Sequence, residues 1–135
     1  MATGRAAVLV GKSGIEIWDI PRANPEPGGT LVRVTLAGVC GSDAHIVDGS
    51  AGTIPYPVVL GHEGVGVIEE LGVGVSTDYA GVPIKAGDRV YWAPTRRCHR
   101  CRSCTILEET PCLEARLLED ALRPNWGSFA EYAWL

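Results

Sequence analysis

Hydrophobic and polar positions alternate along this chain in short runs, with no long stretch at the 3.6-residue period of an amphipathic helix. Segments 5–10 (RAAVLV) and 14–20 (GIEIWDI) predict two strands joined from Gly11 to Gly14, the second alternating Ile15 and Ile17 with Glu16 and Trp18. Residues 24–29 (NPEPGG) form a turn cluster. The best strand pattern is 30–40, TLVRVTLAGVC, where Val32, Val34 and Leu36 alternate with Leu31, Arg33 and Thr35. Further strands are expected at 64–72, 87–93 and 128–135. Short strands with glycine corners predict a mostly β fold, a barrel or a sandwich. Residues 94–127 carry no core-forming period, and a loop of that length in a compact domain needs a staple or a function.

Composition narrows the class. The 135 residues suffice for one domain with a core, and 46% hydrophobic with 21% charged residues is an ordinary globular balance. The net charge of −4 argues against nucleic-acid binding by the whole chain, so the basic cluster near residue 100 is local. No apolar stretch approaches the ~20 residues of a membrane span. The apolar run near the N-terminus is also shorter than a signal-peptide core of about 7–15 residues. A cytoplasmic location is therefore expected, with neither membrane nor nucleic-acid partners. In a reducing compartment, clustered cysteines are metal ligands more often than disulfides.

Four of the five cysteines, Cys98, Cys101, Cys104 and Cys112, follow the spacing C-x2-C-x2-C-x7-C. That pattern suits tetrahedral zinc, with sulfurs about 2.3 Å from the metal. Arg96, Arg97, His99, Arg100 and Arg102 would offset the thiolate charge and keep the thiols deprotonated. Free core cysteines or an oxidised CxxC pair remain alternatives. A closed four-ligand site staples a loop and performs no chemistry, which moves the search to the fifth cysteine.

Cys40 lies beside Ser42, Asp43 and His45, and His62 and Glu63 follow further along. Together they offer a soft ligand, imidazoles, carboxylates and a hydroxyl, the set that an open zinc site requires. Each also has a plain reading: Cys40 as packing, Ser42 or Asp43 as the cap of a short turn at 43–47, and His45 as a surface residue.

GHEGVGVIEELGVGV (61–75), CGSDAH (40–45), the four-cysteine lobe and GSFAEYAWL (127–135) together resemble the N-terminal catalytic domain of zinc-dependent medium-chain alcohol dehydrogenases. The resemblance covers essentially the whole chain. It implies a GroES-like, partly open β-barrel with short helices over 1–135 and a zinc-stapled lobe at 94–127. It also implies that Cys40 and His62 bind catalytic zinc, with Glu63 behind the metal, and that Asp43 accepts a hydrogen bond from His62. Ser42 would take the substrate hydroxyl proton and pass it toward His45. Cys98, Cys101, Cys104 and Cys112 would hold structural zinc. Hydride would pass from an alcohol to NAD or NADP, giving an aldehyde or ketone.

Two departures refine this. Gly41 stands where many members carry an arginine, and the CGSD form resembles the polyol and threonine dehydrogenase branches. The family's third catalytic ligand and its Rossmann domain lie beyond Leu135, and the glycines of 61–74 do not form G-x-G-x-x-G. The sequence is therefore expected to be a fragment that keeps structural zinc, binds catalytic zinc weakly or not at all, and shows no turnover alone. The full-length protein would be a homo-oligomer, a dimer or tetramer. Tyr56, Trp92 and Pro94 fall near the expected substrate pocket. The competing reading is a zinc-stapled binding or scaffolding module without catalysis, which would have no use for an open-site ligand set.

Overall fold

The computed structural model describes residues 3–22, 24–52, 54–92 and 127–135. The fold is mostly β: β1 (Thr3–Gly11), β2 (Gly14–Pro21), β3 (Thr30–Ala37), α1 (Gly41–Val47), β4 (Val58–Val59), β5 (Gly64–Leu71), β6 (Arg89–Trp92) and β7 (Tyr132–Trp134). One three-stranded sheet has the order β2-β1-β4, and a four-stranded sheet has the order β6-β5-β3-β7. Every strand pair is antiparallel, so no parallel βαβ unit of a dinucleotide-binding fold occurs among the described residues. No helix among them is long and apolar enough to cross a membrane.

The closing segment joins the two sheets. Ala130 bridges Ala6, and the Ala7 amide donates to the Phe129 carbonyl at 2.8 Å. Three residues later the same strand pairs with β3 on the other sheet, Ala133 opposite Val32. Phe129, the chain's one phenylalanine, packs against both buried clusters: Ala6, Val8 and Val59 on one side, and Leu9, Val58 and Leu60 on the other. Phe129 is itself partly buried, and since full burial of such a ring contributes at most about 3 kcal/mol its share is a fraction of that. The junction is still a hydrophobic joint as well as a hydrogen-bonded one.

Strands form in every expected segment, the last shortened to Tyr132–Trp134, with further differences. Ile15 and Ile17 are 56% and 67% exposed, so the alternation of β2 marks an edge strand rather than a buried face. In β3, register shifts at Leu31/Val32 and Val34/Leu36 re-aim the side chains: Leu31 and Val32 are both buried while Leu36 is exposed. β3 also stops at Ala37, because the chain turns at Gly38–Val39 into α1. That helix is capped by Cys40 instead of Ser42, with the Asp43 carboxylate accepting the Cys40 amide at 2.9 Å. β4, only two residues long, carries no readable period.

Candidate metal centre

Two segments meet at the mouth of the four-stranded sheet: the β3–α1 turn bearing Cys40, and the turn into β5 bearing His62 and Glu63. Backbone bonds hold the second segment from both sides. The Gly38 amide donates to the Glu63 carbonyl at 2.8 Å, and the Ser128 hydroxyl donates to that same oxygen at 3.2 Å. The Ser128 amide donates to the Gly61 carbonyl at 2.9 Å. Gly61 has φ +92, and a Cβ there would run into the Ser128 hydroxyl and the Phe129 ring. Glycine is therefore required both by the backbone and by the space. At Gly38, a Cβ would come within 2.6 Å of a Glu63 carboxylate oxygen. From the sequence Ser128 is only part of a closing strand; its grip on the ligand turn is not legible there, because a lone serine gives no signal of its partner.

The Cys40 sulfur lies 3.1 Å from His62 Nε2. The Cys40 sulfur, a His62 ring nitrogen and a Glu63 carboxylate oxygen all lie within 4.8 Å of one another, the sole such group of three among the described residues. Two ligands on one tetrahedral zinc, with Zn–S about 2.3 Å and Zn–N about 2.0–2.1 Å, are about 3.5 Å apart. An opening of about 0.4 Å from the observed 3.1 Å would admit the ion.

Behind His62 lies Asp43, only 4% exposed. One of its oxygens takes the Cys40 amide; the other, Oδ1, has no hydrogen-bond partner and faces His62 Nδ1 at 3.8 Å. A buried carboxylate oxygen without a donor is costly. Here it is aimed at the far nitrogen of a ligand histidine, where a proton on Nδ1 would leave Nε2 free for metal. The 3.8 Å separation is longer than a hydrogen bond, so the expected contact is approached rather than made. The donor set therefore fits zinc: a thiol, an imidazole, and a carboxylate placed to fix the imidazole tautomer.

Ser42 and His45 project from α1, three residues apart and both exposed. No hydrogen bond joins them; His45 Nδ1 instead lies 2.8 Å from the Ser50 hydroxyl. Trp92 packs against Gly64 and lines an open depression with Leu36, Gly38, Glu63 and Tyr91, whereas Tyr56 lies elsewhere. Cys98, Cys101, Cys104, Cys112 and Pro94 lie outside the described residues.

An antiparallel β fold presenting a thiol–imidazole pair backed by a buried carboxylate offers a candidate metal site. Residues 26–135 match the model of the alcohol dehydrogenase GroES-like domain, and the chain belongs to that family. It is 59% identical over 135 residues to 5-exo-hydroxycamphor dehydrogenase of Pseudomonas putida, covering 100% of this chain and 37% of that protein. The acetophenone reductase of Geotrichum candidum NBRC 4597, solved with NAD, aligns at TM-score 0.75 and 31% identity over 98% of this chain and 37% of its own. A cobalt- and zinc-bound thermostable alcohol dehydrogenase from Pyrobaculum aerophilum aligns at TM-score 0.76 and 29% identity over 99% of this chain and 39% of its own. The chain thus spans little more than a third of the length of these relatives.

Proposed function

We propose that this chain supplies the zinc-binding, substrate-side part of an NAD(P)-dependent alcohol dehydrogenase. The observation that carries the reading is the 3.1 Å approach of the Cys40 sulfur to His62 Nε2 with the unpartnered Asp43 oxygen behind the ring. Cys40 and His62 hold the metal, and Asp43 keeps the His62 proton on Nδ1. When bound, zinc supplies Lewis acidity that lowers the pKa of an oxygen substrate. Glu63 borders the metal position from the turn fixed by Gly38 and Ser128. Ser42 receives the substrate hydroxyl proton and passes it toward His45 at the surface. A bound nicotinamide would supply the hydride acceptor, so that overall an alcohol and NAD(P)+ would give a carbonyl compound, NAD(P)H and a proton. The arginine-rich cysteine lobe serves as a structural zinc staple.

The identity to the camphor-alcohol enzyme makes secondary ring alcohols the first substrates to assay. A scaffold would not need a thiol, an imidazole and the Glu63 carboxylate converging on one point, with a second, buried carboxylate behind the ring, which favours the catalytic reading. In a protein of the relatives' full length, Cys40→Ser and His62→Ala are each expected to abolish NAD(P)-coupled oxidation while thermal unfolding stays nearly unchanged. Activity within tenfold of wild type in either variant would overturn the reading.

A further inference from the structure

The C-terminal end of α1 carries a polar knot that the metal centre does not use. The Ser13 amide, on the turn between β1 and β2, donates to the Val47 carbonyl at 2.8 Å. Gly49, at φ +79, lets the chain fold back, and the Ala51 amide returns to the His45 carbonyl at 2.9 Å. This fold-back places the Ser50 hydroxyl 2.8 Å from His45 Nδ1. The Ser50 amide donates to Asp48 Oδ1 at 2.7 Å, and Asp48 Oδ2 lies 4.0 Å from the same ring nitrogen.

Counting protons gives the direction of the 2.8 Å bond. The Ser50 hydroxyl has one proton and two oxygen acceptors for it: the His45 carbonyl at 3.4 Å, and the Asp48 carboxylate, which the Ser50 hydroxyl and amide hold below its usual range. With that proton on oxygen, the hydroxyl accepts from the ring. The opposite arrangement would turn an Nδ1 lone pair toward the Asp48 carboxylate, like against like. We infer that Ser50, braced by Asp48, is a positioning residue that keeps the neutral His45 proton on Nδ1 and leaves Nε2 as the proton acceptor. Its functional meaning rests on the proton-relay reading above. Nε2 gains one proton to give the imidazolium, the Asp48 carboxylate offsets that charge, and one proton then leaves to water from the exposed ring.

The test is nitrogen-15 NMR of the 135-residue chain, which has three histidines, with long-range correlations to the ring protons. His45 is assigned by its loss in His45→Gln. At a pH where the ring is neutral, most of the His45 population is expected to show a protonated Nδ1 and an unprotonated Nε2. Ser50→Ala should move the larger share of the proton to Nε2, and Ser50→Thr, which keeps the hydroxyl, should restore the wild-type pattern. A wild-type ring protonated mainly on Nε2, or a tautomer unchanged by Ser50→Ala, would overturn the inference. Relay failure would appear separately, as unimpaired turnover of His45→Gln in a full-length enzyme, with the tautomer result standing.

Discussion

Asp43→Asn separates a structural role for the buried carboxylate from a metal-orienting one. The asparagine carbonyl can still accept the Cys40 amide now held at 2.9 Å, so the cap of α1 survives. The second position changes from an acceptor to a donor, 3.8 Å from His62 Nδ1. An amide there favours a lone pair on Nδ1 and a proton on Nε2, which removes the nitrogen that faces Cys40. Loss of such an outer partner weakens metal binding about 10–100-fold, or about 1.4–2.7 kcal/mol. Without metal the sign reverses, because Asp43 is 4% exposed and one of its oxygens lacks a donor. Replacing it with a neutral amide is expected to leave the metal-free chain as stable or up to about 2 kcal/mol more stable. Competition of zinc against a chromophoric chelator gives the first number, and urea unfolding in excess chelator gives the second. Wild-type zinc affinity at the Cys40–His62 site in the variant would refute the orienting role. A destabilised metal-free variant with unchanged affinity would make Asp43 a helix cap and nothing more.

Two further outcomes follow from the supports around the site. Gly61→Ala places a side chain at φ +92 against Ser128 and Phe129 and should cost about 2–5 kcal/mol, read from the urea midpoint; a loss below about 1 kcal/mol would show that the turn relaxes. Glu131 accepts the Arg5 amide at 3.0 Å and pairs with its guanidinium at 2.8 Å, which holds its carboxyl below the usual 4.5. A depressed folded-state pKa gives stability that is present above 4.5 and lost as pH falls through the folded value. Stability measured against pH should therefore decline less steeply below pH 4.5 in Glu131→Gln than in wild type.

Much of this architecture was legible in the sequence because strand periodicity and glycine punctuation act locally. β1 and β5 follow from short apolar runs bounded by glycines and β3 from alternating residues, and Cys40, His62 and Glu63, distant in sequence, do converge. What stayed hidden depends on partners far along the chain. The bulges of β3 arise from its pairing with β5, and they bury Leu31 and Val32 together while exposing Leu36. The exposure of Ile15 and Ile17 follows from the edge position of β2, which alternation alone does not reveal. Ser42 reads as a cap from its residue type, yet Cys40 occupies the cap because Asp43 reaches back to its amide. The hold of Ser128 on Glu63 spans 65 residues, and the Ser50 contact to His45 needs the αL turn at Gly49.

The central claim is that Cys40 and His62 bind one metal ion. Anomalous diffraction at the zinc edge, from crystals of a protein of the relatives' full length grown with excess zinc, tests it most directly. The account predicts a peak within bonding distance of both Cys40 Sγ and His62 Nε2, with the pair opened from 3.1 Å to about 3.5 Å. Zinc bound elsewhere on the chain, with Cys40 and His62 still in contact and no peak between them, would contradict it.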